Sequence, residues 1–432
     1  MSRRAGRART PAAPQSPHNA NPVAKGLRRT RSVRPTTVPP PLSAAGAGKV
    51  RLGDVLSVKA RIGWQGLTQK EHRETGEYNL VTGTDFVDGK VDFSKCVFVD
   101  KERYDQDENI QLRNGDLLIT KDGTIGKVAV VENMPRPATL NSGVFVVRDV
   151  TSSFLIRYLY HFFLAPEFRK LVDGKLTGCT IAHLNQKVLV NLTIPLPPLS
   201  AQQRIADELD RLCALKKNAE ARLAILDQIV KSRFVEMFGE ESEWPHERIG
   251  GILQIERGGS PRPIDKYITD SPEGVNWIKI GDTVPGEIYI EHAKEKILKS
   301  GIVKSRKVLP GDFLLSNSMS FGRPYITKIE GYIHDGWLVL RDENKIFEKL
   351  FLHQLLSSQY VYKQFAKLAS GSTVKNLNKD LVGRVEVPIP PLSLQREFAE
   401  FVASVDKLKA ALREMVATLD QLYRAKLQEY FG

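Results

Sequence analysis

Two stretches of the sequence repeat apolar residues at alternating spacings of four and three. A repeat of this kind predicts a long helix with a narrow apolar seam that packs against another helix. The stretches cover residues 200–239 and 393–432, and the pattern lasts for about five heptads in each. The seam positions are Ile205, Leu209, Leu212, Leu223 and Leu226 in the first stretch, and Phe398, Val402, Val405, Val416 and Leu419 in the second.

The start of each predicted helix is marked by prolines. Pro197-Pro198 and Pro390-Pro391 cannot lie inside a helix, so we expect Ser200 and Ser393 at the N-cap positions. In the first helix Gln203 would complete a Ser-x-x-Gln capping box.

Charged residues interrupt both seams at matching places. Lys216 corresponds to Lys409, and Arg233 corresponds to Lys426. A charge on a seam lowers stability but excludes wrong registers, which would suit helices that pair with each other. The alternative is that these long side chains reach out to water at the edge of the seam.

The two helical stretches belong to an internal repeat. Residues 178–239 align without a gap with residues 371–432, and shorter matches precede them, such as Gly115-Asp116 with Gly311-Asp312. The chain therefore holds two copies of one unit. Two equivalent units joined by equivalent helices are most simply related by a pseudo-twofold axis, which predicts an antiparallel two-helix coiled coil with one globular unit at each end.

The globular parts, residues 49–199 and 246–392, are predicted to be α/β domains. Short apolar runs predict strands, and each set of runs precedes a predicted helix, near 153–172 in the first copy and near 347–369 in the second. The predicted strands are Leu117–Ile119, Val128–Val131, Val144–Val147, Phe313–Leu315 and Trp337–Leu340.

The loops between these strands are rich in residues that contact DNA. Lysine, arginine, serine and threonine contact phosphates, whereas arginine, lysine, asparagine and histidine also contact base edges. The candidate DNA contacts are Lys121, Thr124, Lys127, Lys175, Thr180, His183 and Asn185 in the first copy, and Arg257, Arg262, Asn317, Ser320, Arg323, Thr373, Lys375, Asn376 and Asn378 in the second. Polar glycine-rich loops are also ordinary surface turns, so these residues alone do not decide the function.

Composition and charge indicate a disordered tail and the cellular compartment that we expect for this protein. The net charge is +13, but most of it lies in residues 1–48, an Arg/Pro-rich stretch without acidic residues that we expect to be a disordered tail. That tail is either dispensable, similar to an organelle transit peptide, or loosely attracted to nucleic acid. No apolar run is long enough for a membrane helix, and 3 cysteines do not make a disulfide framework, so we expect a cytoplasmic protein with no membrane partner.

The sequence contains no catalytic or metal-binding motif. A nucleotide-binding Gly-x-x-x-x-Gly-Lys loop and a His-Glu-x-x-His zinc motif are both absent, and the histidines show no metal spacing. Asp85 and Asp282 occupy equivalent positions but are interpreted as turn residues, and so are Asp116 and Asp312. We therefore expect a protein that is not an enzyme.

The repeated segments resemble the specificity subunit of type I restriction-modification systems. The resemblance is carried by the twin Pro-x-Pro-Pro-Leu-Ser-x-Gln motifs before the heptads, by the loops Gly123-Thr-Ile-Gly-Lys127 and Ser320-Phe-Gly-Arg323, and by Arg257-Gly-Gly-Ser-Pro261. It covers about residues 49–432 and leaves out the Arg/Pro tail.

This resemblance implies a non-catalytic reader of double-stranded DNA. Each target recognition domain would read one half of a bipartite target, and the helices would set the spacing and dock two methylation subunits. It implies no cofactor on this chain; S-adenosylmethionine, Mg²⁺ and ATP would bind to the partner subunits, and restriction subunits would join through the complex. The alternative is a coiled-coil adaptor that binds other proteins and has no DNA specificity.

Overall fold

The computed structural model describes residues 48–62, 66–173, 183–239, 244–284, 286–317, 322–369 and 377–432. Its elements follow the repeat: a first unit (residues 48–198), a long helix, a second unit (residues 244–391) and a second long helix. Among the described residues, no helix is both long and apolar enough to cross a membrane.

The first unit combines strands with short helices. Its strands are β1 (Lys49–Arg51), β2 (Leu56–Lys59), β3 (Tyr78–Val81), β4 (Phe86–Val87), β5 (Lys90–Val91), β6 (Val97–Val99), β7 (Leu117–Thr120), β8 (Val128–Val130), β9 (Ala138–Leu140), β10 (Val144–Asp149) and β11 (Thr193–Pro195). Its helices are α1 (Leu52–Val55), α2 (Lys101–Asp105), α3 (Ile156–Phe162), α4 (Pro166–Asp173) and α5 (Gln186–Val190). The long helix α6 (Leu199–Phe238) follows.

The second unit repeats this order with its own insertions. Its strands are β12 (His246–Arg248), β13 (Gln254–Arg257), β14 (Ile268–Thr269), β15 (Val275–Ile278), β16 (Tyr289–Ile290), β17 (Glu295–Ile297), β18 (Arg306–Val308), β19 (Phe313–Ser316), β20 (Pro324–Thr327), β21 (Gly331–Ile333), β22 (Trp337–Arg341) and β23 (Glu386–Pro388). Its helices are α7 (Ile249–Ile252), α8 (Lys349–Leu356), α9 (Gln359–Leu368) and α10 (Lys379–Gly383), and the long helix α11 (Leu392–Phe431) follows.

The main sheets of the two units share a core of antiparallel strands. The first has the order β2-β10-β7-β8-β5-β4 and the second β13-β22-β19-β20-β16. Val144 lies opposite Thr120 in the first, and Trp337 lies opposite Ser316 in the second. The strands predicted from apolar runs are thus confirmed. They are buried along their length, as is typical of strands covered on both faces.

The smaller sheets differ more between the units. The first has β6-β3-β9, and the second has the longer β14-β17-β15-β21-β18. In both units the first and last strands pair, β1 with β11 and β12 with β23. Each unit therefore begins and ends at the same place, beside the start of its long helix.

The prediction of one helix near 153–172 and one near 347–369 was wrong, because each is two short helices. Pro166 is the first residue of α4, where a missing amide costs nothing, but it could not continue α3. In the second unit the Ser358 hydroxyl accepts from the Val361 amide at 3.2 Å and starts α9.

The predicted helix caps were also wrong. The long helices start at Leu199 and Leu392, so Ser200 and Ser393 lie inside the first turn and Pro198 and Pro391 take the cap positions. Gln203 forms no capping box; its side chain donates to Asp207 at 2.9 Å.

The last residue of the repeated motif has the structural role instead. Gln202 is fully buried, accepts from the Leu155 amide at 2.9 Å and donates to the carbonyls of Ser153 and Pro197. Gln395 is equally buried and bonds in the same way to Glu348, Ile346 and Pro390. These two glutamines join each long helix to the unit before it.

The far end of each long helix packs against the other unit. Phe234 and Phe238 of α6 contact Phe351 of the second unit. Phe431 of α11 contacts Tyr158 and Phe162 of the first unit. Both helices therefore reach from one unit to the other.

Candidate nucleic-acid interface

The β7–β8 and β19–β20 loops are closed by the same hydrogen bonds. The Thr120 hydroxyl accepts from the Lys127 amide at 2.9 Å, and the Ser316 hydroxyl accepts from the Arg323 amide at 3.0 Å. Gly126 and Gly322 sit just before these amides with φ of 76° and 70°, where a side chain would be strained. Lys127 and Arg323 therefore occupy equivalent positions.

Their side chains nevertheless point to different partners. The Lys127 ammonium donates to the Gly83 carbonyl at 3.0 Å, so it stabilises the fold of the first unit. Arg323 is exposed and lines an open cavity of about 400 Å³ together with Asp406 and Lys409 of α11. The equivalence seen in the sequence holds for the backbone and not for the side chains.

The candidate segments converge on one turn in each unit. The Lys121 amide donates to the Gly143 carbonyl at 2.9 Å, and the Asn317 amide donates to the Gly336 carbonyl at 3.0 Å. The Lys121 carbonyl then accepts from the Leu184 amide, and the Asn317 carbonyl from the Leu377 amide. Each unit thus brings together a hairpin loop, a turn and the segment before α5 or α10.

Three predicted asparagines have structural partners. The side-chain oxygens of Asn185 and Asn378 cap α5 and α10, accepting from the Lys187 and Leu381 amides at 2.9 Å. Asn317 is fully buried and donates to the Asp335 carbonyl at 2.8 Å. The repeated Leu-Asn pair therefore has a role in helix capping. The prediction of Asn317 as a base contact was wrong, because its side chain does not reach the surface.

Other candidates of the first unit remain near the surface. Thr124 is exposed in the β7–β8 loop, and the Lys121 ammonium lies 5.6 Å from the centre of the Phe145 ring. His183 is exposed and pairs with Asp122 across the same loop.

In the second unit two arginines bond to the same acidic residue, Asp335. The Asp335 carboxylate accepts from the Ser260 hydroxyl at 2.7 Å and from Arg262 at 3.4 Å. The Asp335 carbonyl accepts from the Arg257 guanidinium at 3.2 Å. Both arginines are exposed, so they form a basic surface next to the β19–β20 loop.

Six of the predicted contacts lie outside the described residues. They are Lys175, Thr180, Ser320, Thr373, Lys375 and Asn376, and they remain predictions. Sequence reasoning missed Asp335, which belongs to no repeated motif. It also missed Gln202 and Gln395, although their identity in the two copies was visible.

The acidic residues that could have suggested catalysis have structural partners. The Asp85 and Asp282 carboxylates accept from the amides of Thr82 and Lys279 at 2.7 and 2.8 Å, which are turn contacts. Asp116 is buried and forms two 2.7 Å bonds with Arg148. Within the described ranges, no group of three or more metal-ligating side chains comes together.

Comparison with known proteins identifies the family. Residues 46–225 and 241–420 each match the type I restriction modification DNA specificity domain. The chain is 25% identical to the type I restriction enzyme EcoBI specificity subunit of Escherichia coli, over 73% of each protein. It is 23% identical to the type I restriction enzyme MjaIX specificity subunit of Methanocaldococcus jannaschii, over 67% of this chain and 70% of that protein.

Solved structures agree on the fold. A chain from a study of complex assembly and conformational transition of the type I R-M system superimposes with a TM-score of 0.58 at 20% identity, covering 88% of this chain and 96% of that one. The type I restriction-modification S subunit from M. genitalium gives a TM-score of 0.51 at 16% identity, over 89% and 96%. With two domain matches that cover most of the sequence, the chain belongs to the type I restriction-modification DNA specificity family, as a non-catalytic subunit that confers DNA sequence specificity.

Proposed function

We propose that the two units read the two halves of a bipartite DNA target and that α6 and α11 hold them at a fixed spacing. The observation that carries this proposal is the contrast between the repeats. The long helices match in length and in their buried glutamines, whereas the smaller sheets and the basic surfaces of the units differ. Two half-sites of different sequence would require such a combination.

The helix pair is proposed to be an antiparallel coiled coil with pseudo-twofold symmetry. Lys216 pairs with Asp420 at 2.6 Å near the middle of α6, and Arg233 pairs with Glu397 at 3.1 Å near its end. Residue numbers therefore rise along one helix as they fall along the other. Opposite directions also agree with the packing of each helix end against the other unit.

Burial along the helices supports the predicted seam. Ile205, Leu209, Leu212, Phe398, Val402 and Val405 are buried, and Leu223, Leu226, Val416 and Leu419 are half-buried. Lys409 is also buried, and its ammonium contacts Asp227 at 2.6 Å. Both seam lysines, Lys216 and Lys409, thus bond an aspartate of the opposite helix, which favours a role in register over simple extension into water.

One side of the helix pair carries solvent-exposed apolar residues. On α11, Leu408, Met415 and Leu422 follow each other at intervals of seven and are 40–57% exposed. On α6, Leu215, Ile225 and Ile229 are exposed to a similar extent, and Ile225, Ile229 and Phe401 line an open groove of about 650 Å³. We call these residues the apolar stripe.

We infer that the apolar stripe docks the methylation subunits. Heptad spacing suits helices of a partner, because every seventh residue returns to the same face. A pseudo-twofold axis through the helix pair would give two equivalent sites, one for each methylation subunit. Restriction subunits would join this complex, and S-adenosylmethionine, Mg²⁺ and ATP would be bound by the partners.

The DNA contacts are proposed to come from the converging segments of each unit. The exposed candidates are Thr124, His183, Asn185, Arg257, Arg262, Arg323 and Asn378. Lys121 is half-buried and lies at the same turn as His183.

Binding of the full chain to a library of random DNA duplexes tests the reading of a bipartite target. Sequencing of the bound fraction should give two conserved half-sites separated by a spacer of fixed length. Affinity for bulk duplex should fall with salt by about 0.9 log units per log unit for each phosphate neutralised. An adaptor without DNA specificity would bind with almost no salt dependence and enrich no motif.

A paired substitution tests the docking surface. Leu408→Glu with Met415→Glu should lower the number of methylation subunits captured per chain, because charges would be buried in the apolar contact that α11 provides. Ala417→Glu, on an exposed face of the same helix and outside the stripe, is the control and should leave capture intact. Equal capture by all three proteins would place the docking surface elsewhere.

A further inference from the structure

The basic surface of the second unit is built around Asp335. Ser260 and Arg262 bond its carboxylate, while Arg257 and Asn317 bond its carbonyl. The five residues come from three separate segments of the chain, so one acidic residue fixes the relative position of the loop after β13, the β19–β20 loop and the turn before β22.

The backbone around this residue is closely packed. The Gly258 amide donates to the Trp337 carbonyl at 2.9 Å, and the Gly259 amide donates to the Ile333 carbonyl at 3.2 Å. A methyl group on Gly258 would lie 2.1 Å from the His334 carbonyl oxygen, and one on Gly259 would lie 2.2 Å from that of Lys304. Gly258 thus lets the arginine-bearing loop lie directly against the turn that carries Asp335, and Gly259 lets the same loop lie against Lys304.

A carboxylate is an unfavourable group on a surface that binds DNA. It repels phosphates, and here it also occupies part of a guanidinium that could otherwise contact them. Its side chain is about half exposed, and bonding by Ser260 keeps its pKa below the usual aspartate range, so it is charged at neutral pH. Asp335 therefore opposes general affinity for DNA.

Asp335 instead fixes the orientation of the arginine side chains. A guanidinium has five donors in a rigid planar fork, and its commonest specific contact is the pair of acceptors on a guanine edge in the major groove. A fork held before binding meets that edge in one orientation, whereas a free arginine turns to any nearby phosphate. Arg262, bonded to the Asp335 carboxylate and largely exposed, fits this use.

We propose that Asp335 determines the specificity of the second unit, by holding Arg262, with support from Arg257, in position to read a guanine in that half-site. This inference rests on the proposed function and names the residue and the base through which the second unit acts. Asp335 is a positioning residue, and Arg262 is the group that touches the base.

The first unit has no equivalent arrangement among its described residues. Its corresponding turn carries Ser142, whose amide and hydroxyl bond Asn141, and the acidic residue of its loop, Asp122, pairs with His183. The prediction of a guanine preference therefore concerns the half-site of the second unit.

The decisive experiment compares the full chain with Asp335→Asn on random DNA duplexes. Removal of the charge and release of Arg262 should raise affinity for bulk duplex and steepen its salt dependence by up to about 0.9 log units per log unit. At the same time, preference for guanine at one position should fall by about 5- to 150-fold. If Asp335 only supported the fold, affinity and preference would both fall, and that result would overturn the proposal.

Arg262→Lys separates base reading from charge. Lysine keeps the positive charge but lacks the fork, so bulk affinity should stay within about twofold while the guanine preference falls. Preserved preference, or a uniform loss of affinity over all sequences, would contradict the assignment of Arg262. Asp270→Asn makes the same charge change at an exposed position of the same unit and should leave the guanine preference unchanged.

The outcomes also distinguish a failure of this inference from a failure of the proposed function on which it rests. If the unsubstituted chain enriches no bipartite motif, the proposed function fails. If it enriches one, but Asp335→Asn and Arg262→Lys leave the guanine in place, this inference alone fails.

Discussion

At the scale of single residues, buried polar side chains define how the units meet the long helices. Gln202 and Gln395 each satisfy three backbone groups where a unit ends and a helix begins. A buried amide without such partners would destabilise the fold, so its presence implies that the geometry around it is fixed.

Gln395→Leu tests this role. The substitution leaves the Glu348 amide and two carbonyls without partners, and we expect the free energy of unfolding to fall by about 1–3 kcal/mol. Denaturant titration measures the change. Gln203→Leu, an exposed glutamine beside Gln202, should alter stability by no more than about 0.5 kcal/mol. A similar loss in both variants would assign no special role to the buried position.

The stability of the fold is expected to depend on pH because of His353. Burial lowers its pKa from 6.5 to about 4, with a smaller contribution from Lys409. Between these values the unfolded chain binds a proton that the folded chain does not, so stability should fall as pH decreases from 6.5 to 4, by at most about 1.4 kcal/mol per pH unit.

His353→Gln should flatten this dependence. Chemical denaturation of both proteins from pH 7.5 to 4 gives the comparison. A slope that stays the same in the variant would mean that other groups dominate the titration. One such group is Asp406 on α11, whose pKa is raised by burial.

Individual contacts were the least predictable part of the protein. The Leu-Asn repeat predicted DNA contacts, and in the structure the side-chain oxygens of Asn185 and Asn378 cap helices. The sequence alone does not distinguish these two uses of an asparagine. Lys127 and Arg323 align in the repeat but have different partners, because these depend on neighbours such as Gly83 that are distant in sequence.

At the scale of elements, prediction was more successful. Heptad spacing gave both long helices to within one residue at each end, and apolar runs gave the central strands. These patterns are local and repeat many times, so single exceptions do not hide them. The helix starts were misplaced because serine after proline resembles a cap, whereas the proline itself takes that position.

Charge pairs between α6 and α11 should set their register. Exchange of the partners tests this: Lys409→Asp alone places two carboxylates together, and Asp227→Lys alone places two ammonium groups together. The double exchange should recover part of the loss, with a coupling energy of about 0.5–3 kcal/mol in a double-mutant cycle.

The control is the pair Lys101–Asp105 within α2, whose two side chains are both exposed. Its coupling should stay near 0.3–0.5 kcal/mol, about the value for pairs one turn apart on a helix. Strict additivity at Lys409 and Asp227 would show that this pair does not couple the helices.

At the scale of the whole molecule, helix length is expected to fix the distance between half-sites. Insertion of seven residues at matching places, between 216 and 223 in α6 and between 409 and 416 in α11, keeps the seam in phase. It should lengthen the pair by about 10.5 Å at 1.5 Å per residue, and the spacer by about three base pairs at 3.4 Å each.

Sequencing of duplexes bound by the lengthened protein checks this expectation. The two half-sites should be unchanged and only their separation should grow. A change in a half-site, or no change in spacing, would show that the helices do not act as the spacer. Insertion of three residues in α6 alone is the contrasting case, since it rotates the seam out of contact and should lower stability.

The pairing of β1 with β11 and of β12 with β23 has a consequence for how such proteins diversify. Because the chain enters and leaves each unit through neighbouring strands, a unit is attached to the helix pair by a narrow stem. A unit with another base preference could be grafted onto that stem without rebuilding the scaffold. New recognition sequences could then arise by recombination of whole modules, with no need for gradual change on a shared surface.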